Sequence, residues 1–147
     1  MSKVLLLLLC CISLYANDLE EYIKTFDYEE RTNMKIKMVE MLNLVEEKKA
    51  QVIDIRFKEE FEVWSLGFTK NIPLNELPNR LHELDKSKLI ITACPHNDRA
   101  NIARVYLKQK GFNVRYLSDG LLKAVNYLRG DNAKEFLQEY KKVKKEE

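Results

Sequence analysis

Apolar and polar positions follow two rhythms along this chain. Early on, Leu19, Tyr22, Ile23 and Phe26 recur at three- and four-residue intervals. That spacing predicts a helix capped by Asp18 and running to about residue 31. Met34, Met38, Met41, Leu42 and Val45 repeat the pattern. They predict a second helix, from an Asn33 cap to about residue 49, whose methionine stripe reads as core packing. From there the rhythm shortens. Strands are expected at 51–55, 69–72, 88–93 and 112–117, with Pro73 ending the second of them. Helices are expected between and after them, at 58–64, 78–85, 99–110 and 121–129. Gly111 stands where a C′ glycine would end the third of these helices. From Asp131 a last amphipathic helix carries Phe136, Leu137 and Tyr140 into a charged end. Strands and helices alternating at this interval predict an α/β fold with an open, largely parallel sheet. Such sheets bind ligands beyond the carboxyl ends of their strands.

The first sixteen residues break both rhythms. Lys3 is the only charge before Asp18, and an unbroken apolar run begins at Val4. A short basic region, an apolar stretch of about eleven residues and a small Ala16 together predict a secretory signal peptide over 1–16. The stretch is shorter than the roughly 20 residues a membrane span needs. The mature chain is therefore expected in the periplasm, without a membrane anchor. Cys10 and Cys11 leave with the peptide, and Cys94 remains as a lone thiol with no internal disulfide partner.

Composition narrows the function. With 147 residues, 46% of them hydrophobic, the chain supports one domain with short extensions and is too apolar for disorder. Twenty-five basic against 23 acidic residues give a net charge of +2, so there is no electrostatic case for a nucleic-acid partner. Two histidines and three cysteines without ligand spacing predict no metal site.

Cys94 carries the chemistry. It follows the strand at 88–93 and precedes the helix at 99–110, within the loop Cys94, Pro95, His96, Asn97, Asp98, Arg99. Unpaired amides of a helix's first turn carry partial positive charge and favour a thiolate. A lowered thiol pKa and a nucleophilic Cys94 are therefore expected, with Arg99 adding charge and the loop amides forming an anion nest.

This loop resembles the active-site loop of the rhodanese family of sulfurtransferases, a Cys followed by four residues and then an Arg. Val52-Ile53-Asp54-Ile55-Arg56 with Glu60-Phe61 resembles the family's first strand and its Asp-x-Arg signature. Asn71-Ile72-Pro73, Gly111-Phe112-Asn113-Val114 and Asp119-Gly120 resemble later family segments, so the likeness spans about residues 36–129. Trp64-Ser65 replaces a usual Gly-His, Asp119 a usual Gly, and Val125 a frequent Trp.

The resemblance implies a rhodanese-like open sheet over 34–130, with a helical extension at 17–33 and a charged C-terminal helix at 131–147. It implies covalent sulfur transfer through a persulfide on Cys94, with Arg99 orienting the loop or an anionic donor. Pro95, His96, Asn97 and Asp98 would line the donor site, and no cofactor is needed. The donor would be a small sulfur-containing anion such as thiosulfate or polysulfide, the acceptor a thiol or a protein partner. Because Asp98 offsets Arg99, a dianionic donor is less favoured. Cysteine phosphatases and arsenate reductases place five residues between Cys and Arg, not the four seen here. A non-catalytic sulfur-carrier, redox-sensing or binding module is the alternative, although a pure binding domain has no need of the thiol. Asp54 and Arg56 are expected to form an exposed structural ion pair, and Trp64 to pack.

Overall fold

The computed structural model describes residues 19–145, with side chains through residue 142. The signal peptide expected at 1–16, with Cys10 and Cys11, and the Asp18 cap lie outside the described residues. Contacts divide the chain at Thr32 into two units.

In the first unit, the expected single helix to about residue 31 is two. α1 covers 19–24, and α2 covers Tyr28–Asn33. The break is capped: Asp27 Oδ1 accepts the Glu30 N–H at 2.8 Å, which satisfies one of the free donors of a new helix start. Tyr22 closes the turn by donating its hydroxyl to Glu30 at 3.0 Å.

The second unit is built on a five-stranded, wholly parallel sheet in the order β1-β5-β4-β2-β3. Its strands are β1 (Lys35–Ile36), β2 (Ala50–Asp54), β3 (Lys70–Asn71), β4 (Leu89–Ala93) and β5 (Val114–Leu117). Helices α3 (Met38–Glu46), α4 (Lys58–Val63), α5 (Asp98–Gln109), α6 (Gly120–Tyr127) and α7 (Gly130–Lys145) connect and cover them. Strand residues alternate between two cores, because successive side chains leave opposite faces of the pleat. Val52 and Ile91 point into one core with the α3 stripe Met38, Met41, Leu42 and Val45, and with Ala124 and Phe136. Ile53 and Ile90 point into the other with Ala100, Ala103 and Leu107 of α5. Cys94 belongs to this second core.

Two expected elements differ. The helix expected from Asn33 starts only at Met38, because Lys35 and Ile36 pair with Tyr116 and Leu117 as an edge strand. The side chain that starts α3 comes from far away in sequence: Asp119 Oδ2 accepts the Met38 N–H at 2.9 Å. The helix expected at 78–85 is a pair of 3-10 turns, Leu77–Asn79 and Leu81–Glu83. Pro78 lacks the donor a longer α-helix would use, and Arg80 is held by Glu76 and Glu83 across the two turns. Gly111 follows α5 with φ of 80°, the left-handed conformation a C′ position requires.

Candidate active site

Parallel register assembles the site. Asp54, the last residue of β2, pairs with Ala93, the last residue of β4, so the segments leaving both strands emerge side by side. Strand β2 leads to Arg56 and α4, and β4 leads to Cys94 and α5. Beyond β4 the chain crosses to β5 on the other side, so the Cys94 loop stands where the winding of the sheet reverses.

Cys94 is the free cysteine of the described residues and is fully buried. The loop after it opens outward: His96, Asn97 and Asp98 are exposed, and Pro95 and Arg99 half-buried. Backbone N–H groups of Ala100, in the first turn of α5, and of His96 act on the sulfur and favour its charged form. Thr92 fixes that turn by donating its buried hydroxyl to the Ala100 carbonyl at 2.8 Å.

The ionisation of the thiol differs from the sequence expectation. Burial pushes the Cys94 thiol above its ordinary value, the two amides oppose this, and the Asp98 carboxylate raises it further. The thiol donates to Asp98 Oδ1 at 3.5 Å, so a full negative charge faces the sulfur. Asp98 itself is held below the usual carboxylate range by the Arg99 N–H and by the Cys94 thiol. A helix N-terminus offers only about half a charge, and here desolvation and a carboxylate outweigh it.

Arg99 is held by α4. Its two terminal nitrogens bind Glu60 Oε2 and Oε1 at 2.7 and 2.8 Å, a fork-to-fork pair that fixes the guanidinium plane. The pair holds the Glu60 carboxyl below its usual value. Glu60 also accepts the Phe57 N–H at 3.1 Å, so one carboxylate both starts α4 and anchors Arg99. Its partner lies 39 residues away, and only the Glu60-Phe61 resemblance marked the position.

Beneath this pair lies a second one. Asp54 and Arg56 are 0% and 1% exposed, not the surface pair expected. Arg56 gives Nε and one terminal nitrogen to Asp54, at 2.9 and 2.6 Å, and donates to the Trp64 carbonyl at 2.8 Å. Its guanidinium carbon stacks 3.8 Å from the centre of the Trp64 ring, which explains a tryptophan at this position.

The back of the loop is clamped by α6. Leu121 and Leu122 N–H groups bind the Cys94 and Pro95 carbonyls at 2.9 and 3.3 Å. This approach requires Gly120, whose φ is +75° and where a Cβ would lie 2.3 Å from the Pro95 carbonyl oxygen and 2.5 Å from that of His96. Gly120→Ala should therefore lower stability by about 2 kcal/mol, read as a shifted urea midpoint. A midpoint unchanged from wild type would show that the loop yields freely. Asp119 accounts for a second departure from the family pattern. It caps α3 and pairs with Lys37 and Lys123 at 3.2 and 3.4 Å, tying the sheet edge to the loop. Asn97 adds a contact from its side-chain amide to the Ser118 carbonyl at 3.3 Å.

With this geometry in place, the family comparison is decisive: the pattern of the Rhodanese-like domain matches residues 38–127. This chain belongs to the rhodanese-like domain family. It is 32% identical over 79 residues to the tRNA sulfurtransferase of Vibrio cholerae, covering 51% of this chain and 16% of that protein. It is 27% identical over 81 residues to the thiosulfate sulfurtransferase GlpE of Pseudomonas aeruginosa, covering 55% of this chain and 74% of the relative. The crystal structure of a rhodanese-related protein from Thermoplasma volcanium superposes with a TM-score of 0.57 at 25% identity, covering 63% of this chain and 90% of that one. The rhodanese-like fold follows, and the two named sulfurtransferases are relatives of which this chain spans 16% and 74%. The matched span holds the Cys94 loop, Glu60, the Asp54–Arg56 pair and Gly120. It omits α1, α2 and α7.

Proposed function

We propose that this rhodanese-like chain moves sulfane sulfur through a persulfide on Cys94. One observation carries the reading: a buried thiol stands between the end of β4 and the first turn of α5, inside the family's Cys-to-Arg loop, where the Ala100 and His96 amides favour its charged form. In the first step the Cys94 thiolate attacks the outer sulfur of the donor. A new S–S bond forms, the donor's S–S bond breaks, and its electron pair leaves with the remainder of the donor. The thiol proton passes to that leaving group or to water. In the second step an acceptor thiolate takes the outer sulfur and restores the Cys94 thiolate. No net oxidation occurs, so no redox cofactor is consumed.

The loop amides stabilise the terminal persulfide anion, a preorganised electrostatic role. Arg99, braced by Glu60, positions the loop. Pro95, His96, Asn97 and Asp98 form its outer wall, on the side from which a donor would approach the buried sulfur. Intact-mass spectrometry after incubation with polysulfide tests the proposal. One added sulfur atom per chain, mapped to Cys94 and removed by reductant, is the expected result; a peptide map without sulfur on Cys94 would sink it. Export after cleavage of residues 1–16, giving a periplasmic protein, is part of the same proposal, and N-terminal sequencing of the secreted form checks it.

The buried, carboxylate-facing thiol sets a pH dependence. Its value lies above the ordinary thiol range, so at neutral pH the nucleophilic form is scarce. The rate of persulfide formation should climb about tenfold per unit over roughly pH 7–9, following the thiolate fraction. A plateau already reached near neutrality would contradict the environment described for Cys94.

A further inference from the structure

We propose that Asp98 makes Cys94 selective for sulfane donors of low charge, hydropersulfides R–S–SH above all, over dianionic thiosulfate. The inference rests on the persulfide reading above and names the donor class for that site.

Three observations carry it. First, the carboxylate closest to the reacting sulfur accepts its proton at 3.5 Å, so an incoming dianion meets a negative charge at the point of attack. Second, the cation that would offset that charge is engaged elsewhere. Both terminal nitrogens of Arg99 are bound to Glu60, so Arg99 and Glu60 together present no net charge to a donor. Third, Arg56 is paired with Asp54, and the two lysines beside Asp119 share its one carboxylate and are hydrated. Lys37 and Lys123 pair with Asp119, and their side chains are 68% and 60% exposed, where water screens them. The remaining attraction is that of the loop amides, a fraction of a charge suited to one singly charged sulfur.

A hydropersulfide satisfies these constraints. Cys94–SH and R–S–SH give Cys94–S–SH and R–SH. The bond between Sγ and the outer sulfur forms, and the R–S to S bond breaks. The thiol proton ends on the leaving R–S sulfur. Written with neutral reactants the exchange conserves charge, an ionised hydropersulfide brings one negative charge where thiosulfate brings two, and neither oxidant nor reductant is required.

The test compares persulfide formation on Cys94 of the full chain with cysteine hydropersulfide and with thiosulfate at equal concentration. The hydropersulfide should load the wild-type protein at least about tenfold faster. Asp98→Asn removes the charge and keeps the shape, and should move the ratio of the two rates about tenfold towards thiosulfate. Glu60→Gln, which returns the Arg99 charge to the site, should move the ratio the same way and stands as an independent test. A general change in thiol reactivity would scale both rates and leave their ratio fixed. Equal or faster loading by thiosulfate in the wild type, or a ratio unmoved in both variants, overturns the donor assignment and leaves sulfur transfer standing. Failure of both donors to load Cys94 overturns the sulfur-transfer reading and this inference with it.

Discussion

Cys94→Ser should abolish sulfur transfer, lowering the turnover of any sulfane donor by at least about a thousandfold. A serine hydroxyl cannot hold a transferable sulfane sulfur, and the loop supplies no second nucleophile: Pro95, His96, Asn97 and Asp98 carry no thiol. The fold should survive the change. The serine fits the volume and can donate to Asp98 as the thiol does, so a stability loss of only about 1 kcal/mol is expected for a hydroxyl in this core. Peptide mapping is the appropriate readout, since Cys10 and Cys11 are also present in the full chain. Full donor turnover by the serine variant would remove Cys94 from the mechanism.

Asp54→Ala should be the most damaging change to stability. Arg56 is 1% exposed, and Asp54 supplies both of its strongest contacts. Without the carboxylate, a guanidinium remains in the interior with only the Glu60 and Trp64 carbonyls and the Trp64 ring for partners. Breaking one side of a buried pair typically costs about 3–5 kcal/mol, mostly for the stranded charge. Denaturant unfolding should show a loss in that range. A loss below about 1 kcal/mol would mean that water reaches Arg56 and that the pair does not brace the wall beside α4.

The sequence made most of the architecture legible because the four predicted strands carry strong local patterns. Val52-Ile53 and Ile90-Ile91 are apolar on both faces, as a parallel sheet covered by helices requires. Strand β1 was hidden because two residues give no period, and Met34 extends the methionine spacing of α3 backwards across them. The break between α1 and α2 was hidden because apolar spacing continues through Asp27, which acts as a cap. Within the site, the Cys94 loop could be read directly, but its electrostatics could not. The charge state of the thiol depends on how deeply the sulfur is buried and on the direction of the Asp98 side chain. The fate of Arg99 depends on a glutamate 39 residues away. Likewise, Asp119 and Gly120 show their purpose only once folding brings α3 and the Pro95 carbonyl against them.

The edges of the sheet have a consequence of their own. β1 and β3, the outermost strands, are two residues long, and each begins with a lysine, Lys35 and Lys70. The long strand β4 is enclosed between β2 and β5, and β2 is paired with β4 along its length and with β3 at Ile53 and Asp54. Short, charged borders of this kind discourage edge-to-edge aggregation, which suits a protein whose interior strands are among its most apolar segments.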